Sequence, residues 1–346
     1  MTPAPLPAHT HDALAAPAAS AVRLLHLPVA GQTVRLRLYL EGENRYGSVK
    51  ARTAHALLGA LEEAGRLCLG GQVIESTSGN LGIALAGLCA ERGYRCTLVV
   101  DDTTPAFSLS RMADLGAELI HVKAPDAAHA VTARIQTVRE FLATNPWAVW
   151  TDQYNNPAGP AVHAHTTGPA FLHHGQLAHP DAVVAPVSTG GTLAGVAAYA
   201  RAHAPEVLVW AVDAVGSAAT GRKAAPRPGK LPGFGSGLRS TFLTPRHYDH
   251  LAYVTDSDAA LACRIIHDCT GIALGGSAGA AVLAAVAAAA RSRRVRDIAC
   301  LCPDGGDRYQ ATIYAPGPPR LTPCDPVTVP ALAALHRLYP ERESDR

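Results

Sequence analysis

The feature that most constrains this chain is an alternation. Short apolar runs that read as strands are separated by longer segments of helical periodicity, and the junctions are filled with Gly, Ser and Thr. Strand-like runs fall at residues 34–40, 96–100, 118–122, 148–150, 182–187, 208–212 and 298–302. Helical patterns fall at 52–65, 81–93, 105–115, 127–143, 168–174, 193–203, 258–269 and 278–294. Parallel strands need long crossover connections, which helices supply. The pattern predicts an α/β protein with mostly parallel sheets and helices on both faces, a three-layer arrangement. A length of 346 residues with 48% hydrophobic content suits two such units. Residues 1–20, rich in Pro, Ala and His, are expected to be mobile.

Composition excludes several kinds of partner. Thirty Lys and Arg against 28 Asp and Glu leave a formal charge of +2. So weak a surplus argues against nucleic acid or an anionic membrane. Residues 272–290 are uncharged but built from Ala, which gives little transfer energy, so a buried soluble helix is expected there. No basic stretch followed by an apolar run opens the sequence, and a cytoplasmic location is expected. The eight cysteines lack paired CxxC spacing and read as reduced thiols; Cys300 and Cys302 alternate along one strand and share a packed face. His163, His165, His173 and His174 cluster in sequence, but no Cys or carboxylate completes a tetrahedral set, so no metal is expected.

Four strand-to-helix junctions carry the chemistry. In the first, Gly47-Ser48-Val49-Lys50 leads into a helix. A lysine there is ordinarily a solvated surface residue. The helix N-terminus and the nearby Arg52 both disfavour its ammonium form, however, as a Schiff-base lysine requires. The second, Ser76-Thr77-Ser78-Gly79-Asn80, sets hydroxyls and backbone N–H groups at a helix start. It reads as a carboxylate receptor or as an ordinary capped helix. The third, Ser188-Thr189-Gly190-Gly191-Thr192, follows an apolar strand and opens a helix, which is anion-binding architecture. It matches neither GxxxxGK[ST] nor GxGxxG. The fourth, Gly275-Gly276-Ser277-Ala278-Gly279, again opens a helix, and close packing alone would account for it.

Taken in order, GSVK, STSGN, DQYNNP with TTGP, STGGT and GGSAG resemble the cysteine synthase-like family over residues 34–309. These are pyridoxal phosphate enzymes of the tryptophan synthase β fold, fold type II. The resemblance implies that Lys50 carries pyridoxal 5'-phosphate as a Schiff base and that Asn80 meets the phenolic oxygen. Ser188, Thr189, Gly190, Gly191 and Thr192 would hold the phosphate, with Ser277 facing the ring nitrogen. Thr77, Ser78, Gly79, Asn80 and Gln153 would receive the substrate α-carboxylate. It implies a larger cofactor-binding domain from residues 21–54 plus 151–325, a smaller mobile domain from 55–150, a C-terminal tail at 326–346, and a homodimer.

Some residues depart from the usual cysteine synthase pattern. Leu81 replaces the second Thr of SGNTG, Ser188 replaces the first Gly of GTGGT, and Ala51 stands where Asp usually follows the lysine. STSGNLGIALA, ARIQTV, DQYNNP, VSTGGTLAG and PDGGDRY look closer to the N-(2-amino-2-carboxyethyl)-L-glutamate synthase branch. That branch makes a precursor of 2,3-diaminopropionate, used in siderophores and peptide antibiotics, from O-phospho-L-serine and L-glutamate. Substrates so anionic require additional cations and donors, for which Arg134, Tyr154 and Ser188 are the candidates. Residues 216–240 carry five basic residues and no acid, and read either as an anion-attracting cover or as a merely soluble loop. An O-acetylserine or O-phosphoserine sulfhydrylase is the alternative; a catalytically silent binding protein of the same family is a third reading.

Overall fold

The computed structural model describes residues 20–123, 129–227, 230–316 and 329–340. Strands Ala21–Val29 (β1) and Gln32–Leu40 (β2) pair antiparallel around Ala30 and Gly31, both at positive φ (47° and 77°). Such a two-residue turn matches the twist of its strands. β1 lies outside the strands read from the sequence: AVRLLHLPV contains Pro28 and no clean alternation. The chain then alternates through Gln72–Ser76 (β3), Arg95–Asp101 (β4), Glu118–Val122 (β5), Ala148–Trp150 (β6), Ala182–Pro186 (β7), Leu208–Ala214 (β8), His250–Val254 (β9) and Asp297–Cys302 (β10). The two-residue Tyr339–Pro340 (β11) pairs with β1.

Two sheets result. One has seven strands in the order β11-β1-β2-β10-β7-β8-β9, parallel from β2 onward. The other has four parallel strands in the order β5-β4-β3-β6. Helices cover both faces of each, as the alternation predicted. On one face of the large sheet, Asp256–Thr270, Gly276–Arg291 and Val329–Leu335 bury Leu36, Leu38, Cys300 and Cys302. On the other, Thr167–Leu172 and Gly191–His203 bury Tyr39, Val183, Ala185 and Leu301. Cys300 and Cys302 thus share one packed face, with Leu301 on the other. The small sheet sets Val73, Leu98 and Val100 against Lys50–Glu63, Asn80–Arg92 and Ala106–Asp114, and Ile74 and Val99 against Ala130–Thr144.

The Ala-rich segment is a packing device. A Cβ on Gly279 would sit 2.2 Å from the Ala259 carbonyl oxygen and 2.5 Å from Cys263 Sγ, so helices Asp256–Thr270 and Gly276–Arg291 cross with no room for a side chain. Among the described residues no helix is long and apolar enough to cross a membrane. Within the C-terminal stretch read as a tail, residues 329–340 pack onto the large sheet. Ser20, at the end of the segment expected to be mobile, accepts a hydrogen bond from Arg52 Nη2 (3.0 Å); residues 1–19 lie outside the described residues.

One ion pair ties β2 to β10. Fully buried Arg37 donates from Nε to Asp297 Oδ1 and from Nη2 to Oδ2, each at 2.6 Å. Removing the carboxylate would strand a buried guanidinium. Asp297→Ala is expected to lose about 3 kcal/mol or more of stability in urea denaturation; a loss under about 1 kcal/mol would show that solvent reaches Arg37.

Candidate active site

In α/β sheets ligand sites form beyond the carboxyl ends of parallel strands. Here β3, β7 and β10 end at one cleft, with about 1040 Å³ of empty space that opens to solvent. Helices beginning at Lys50, Asn80, Gly191 and Gly276 start on it. None of the four has a side-chain cap on its N-terminus, so first-turn N–H groups are left for water or an anion. All four junctions singled out in the sequence therefore meet.

Lys50 stands at the first position of its helix and donates from Nζ to Thr189 Oγ1 at 3.4 Å. Burial lowers its pKa to about 8, opposed by the charge of Glu75. The direction agrees with the sequence reading, but the cause differs. Arg52 contributes nothing to it, because its guanidinium turns away into a buried pair with Glu41, Nε to Oε2 at 3.1 Å. Loss of water is the dominant effect.

The loop after β3 is built on Thr77, whose Oγ1 accepts from the Gly79 and Gly82 amides (3.3 and 3.1 Å). Ser78, Gly79 and Asn80 line the cleft beside it. Leu81 is buried and adds apolar surface where a hydroxyl would otherwise stand. Gln153 lies opposite and donates from Nε2 to the Ser76 carbonyl at 2.8 Å. It follows Asp152, a non-glycine residue at φ 48°, which aims the turn. Behind this loop is fully buried Glu75: Oε1 accepts from the Ser76 amide (2.7 Å) and Trp150 Nε1 (3.1 Å), Oε2 from Thr151 Oγ1 (2.5 Å) and the Gln153 amide (3.1 Å). Burial raises its pKa to about 7 against those hydrogen bonds.

The loop after β7 places Ser188, Thr189, Gly190 and Thr192 on the cleft, with Gly191 opening the helix behind them. Gly190 has φ 89°, and a Cβ there would lie 2.2 Å from Ser240 Oγ, so only glycine fits. Thr192 Oγ1 meets His163 Nε2 at 3.2 Å, and His163 also contacts Thr53 and Thr167 (3.0 and 2.8 Å). Burial, with Lys50 and Arg52, drives the His163 pKa well down, so this histidine is a neutral connector. Among the described residues there is no group of three or more His, Cys, Asp or Glu that could hold a metal ion.

Ser277 and Asn80 occupy the fourth side. Asn80 Nδ2 donates to Asp304 Oδ2 at 2.8 Å, and the Tyr309 hydroxyl reaches the same oxygen at 3.2 Å. Asp304 is buried, its pKa raised by desolvation, and its Oδ1 has no hydrogen-bond partner. A Cβ on Gly275 would fall 1.8 Å from that oxygen, which is why glycine precedes the helix. The motifs read in the sequence include Glu75 and Asp304 but give them no role, although both stand at the same signal: a carboxylate at or just past the end of an apolar strand, followed by a Gly-rich turn.

A second cavity, of about 890 Å³ of empty space, shares Ser78, Pro105, Tyr154, Ser188, Pro232 and Gly233 with the first. Arg134 lines it, 3% exposed, paired with buried Asp101 at 3.0 Å and leaving Nε without a hydrogen-bond partner. Burial raises the Tyr154 pKa, opposed by the adjacent Arg134. The basic segment is no free loop. Among its described residues, Arg222 lies 3.6 Å over the Tyr253 ring and Arg227 pairs with Asp256.

The raised Glu75 pKa has a sign that can be tested. The folded chain holds this proton more tightly than an unfolded carboxyl at 4.5, so stability falls as pH rises from about 4.5 to about 7 and is flat above. Glu75→Gln is expected to remove that slope, at most about 1.4 kcal/mol per pH unit. Identical urea midpoints against pH in both proteins would refute it.

Known proteins place this geometry. The sequence signature "Pyridoxal-phosphate dependent enzyme" matches residues 17–304. N-(2-amino-2-carboxyethyl)-L-glutamate synthase of Ralstonia nicotianae is 38% identical over 82% of this chain and 83% of its own. Cysteine synthase of Staphylococcus aureus is 32% identical over 79% of this chain and 86% of its own. The crystal structure of O-ureido-L-serine synthase superposes with a TM-score of 0.81 at 27% identity, covering 91% of this chain and 98% of that one. The site suits the cofactor on its own evidence: a half-buried lysine of lowered pKa, an uncapped helix start whose Gly190 admits no Cβ, and a Ser277 on the cleft whose hydroxyl makes no hydrogen bond to a described residue. The chain belongs to the pyridoxal-phosphate dependent enzymes, and is a fold type II, cysteine synthase-type member that carries out β-replacement.

Proposed function

We propose that this enzyme joins O-phospho-L-serine and L-glutamate to give N-(2-amino-2-carboxyethyl)-L-glutamate and inorganic phosphate. The observation that carries the reading is the basic cavity continuous with the Lys50 cleft, in a chain 38% identical to two synthases of that name. Ser188, Thr189, Gly190, Gly191 and Thr192 would hold the cofactor phosphate, Asn80 its phenolic oxygen, and Lys50 its carbonyl carbon. When bound, pyridoxal phosphate supplies an electron sink for bonds at Cα of an amino acid. Ser277 is neutral, so it leaves the ring nitrogen largely unprotonated and favours loss of a β-substituent over transamination. Thr77, Ser78, Gly79, Asn80 and Gln153 take the α-carboxylate. Lys50 takes the Cα proton; a pKa near 8 suits it to act as a base around neutral pH. Phosphate leaves Cβ, the glutamate amine bonds there and gives up one proton, and Lys50 returns a proton to Cα. Arg134, Tyr154 and Ser188 supply the cation and donors that the anionic groups need.

The same proposal includes a homodimer in the cytoplasm that supplies the precursor of 2,3-diaminopropionate for a siderophore or peptide antibiotic. It also has residues 55–150 moving as a smaller domain over the cofactor-binding remainder. Cysteine synthesis is the second reading, favoured by the 32% identity to cysteine synthases. Leu81 and Ser188 count against it.

The test offers the holoenzyme O-phospho-L-serine with equal glutamate and sulfide, and identifies products by mass spectrometry. A glutamate adduct is expected; cysteine alone would make the second reading correct. Lys50→Ala should lower turnover at least about a thousandfold and abolish the visible absorbance of lysine-bound cofactor. Retained turnover would remove Lys50 from its role.

A further inference from the structure

Charge bookkeeping in the second cavity leaves one cation over. Arg134 is matched by Asp101 at 3.0 Å, and Arg227 by Asp256 at 2.6 Å, with Arg227 Nε on the other Asp256 oxygen at 3.0 Å. Lys230 also lines this cavity, yet makes no hydrogen bond or ion pair with any described residue. Its backbone is nevertheless tethered. Asp256 Oδ1 accepts both Arg227 Nη2 and the Leu231 amide (2.6 and 2.9 Å), so one carboxylate fixes the chain on either side of Lys230. Partial desolvation at the cavity edge, and then the two neighbouring guanidiniums, push its ammonium pKa down.

Arg134, 3% exposed and paired with Asp101, forms the buried side of the same cavity. The cavity meets the cleft at Ser78, Tyr154 and Ser188, where the serine-derived substrate is placed in the reading above. A second substrate must enter while the remnant of the first still occupies the cleft. A site beside the cleft, with a solvent-exposed lysine at its edge and a guanidinium at its base, suits that order of events.

We infer that this cavity is the subsite for the side chain of the incoming amine, and that Lys230 selects an acidic amino acid by pairing with its distal carboxylate. The inference rests on the proposed β-replacement and adds the residue that chooses the nucleophile. Lys230 is a specificity residue; Asp256 positions it. The Thr77–Asn80 loop and Gln153 keep the donor's α-carboxylate, so Lys230 has no part in binding the donor.

The experiment uses holoenzyme carrying Lys230→Gln, Lys230→Glu or Lys230→Arg, with glutamate and its neutral isostere glutamine as competing nucleophiles. Lys230→Gln is expected to raise the KM for glutamate about tenfold and to lower the glutamate-to-glutamine ratio of kcat/KM by a similar factor. Lys230→Glu should go further, and Lys230→Arg should return to within about twofold of wild type. The KM for O-phospho-L-serine, and the spectral change on adding it alone, should not move. An unchanged ratio in Lys230→Gln would overturn the inference. A rise in KM confined to O-phospho-L-serine would overturn it too, placing the leaving phosphate at Lys230 instead. Absence of a glutamate adduct in the wild-type enzyme would fail the parent reading and take this one with it, whereas a normal adduct with an unaltered ratio fails this one alone.

Discussion

Everything at the active site depends on the pairing of β2 with β10. The two strands are about 260 residues apart in sequence, and they lie parallel with Leu38 opposite Cys300. Beyond the strand ends the same alignment continues. The Val49 amide donates to the Pro303 carbonyl at 2.8 Å, and Ser48 bridges to Asp304. Lys50 and Asp304 are therefore set side by side by backbone hydrogen bonds and not by their own side chains. The buried Arg37–Asp297 pair lies at the other end of this ladder and resists slippage, because a shifted register would leave two charges without partners. Asp304 then reaches Asn80 of the other half of the molecule. One strand pairing and one side-chain hydrogen bond thus bring both sheets to a single cleft.

Burial is the second constraint, and it acts on both signs of charge. Withdrawing Lys50 from water weakens its hold on a proton; withdrawing Glu75 strengthens it. Their mutual attraction opposes the change in Lys50, so the amine stops near 8. Glu75 is at the same time the anchor of the Gln153 turn. One side chain thus both moderates the shift of the lysine and shapes the carboxylate loop.

How much of this was legible in the sequence follows from the range of the forces. The Gly- and Ser-rich junctions were readable because a helix start after a strand is a local event, fixed by a few residues of backbone chemistry. Alternation of strand and helix gave the fold class for the same reason, although β3 and β9 lie outside the strands read from the sequence. The β1 strand was not readable, since Pro28 and an irregular apolar run hide it, and only its pairing with β2 makes it a strand. The short helix Ala158–His165 was hidden by a mixed Gly, Pro and His composition. Lys50 was found by its position, but the cause of its perturbation was assigned to Arg52, whose true partner, Glu41, is met only in three dimensions. Arg134 is legible as a cation for substrates, but its Asp101 counter-ion, 33 residues earlier in the chain, is met only in three dimensions.

The place of β10 in the large sheet has a consequence for synthesis. β2 and β7 pair with β10, not with each other, so a nascent chain that has not yet released residues 297–302 has two sheet fragments with a gap between them. Until that strand inserts, Asn80 has no Asp304, and the lysine that must lose its water still faces it. Chemical competence arrives in one late step, after most of the polypeptide has already been made.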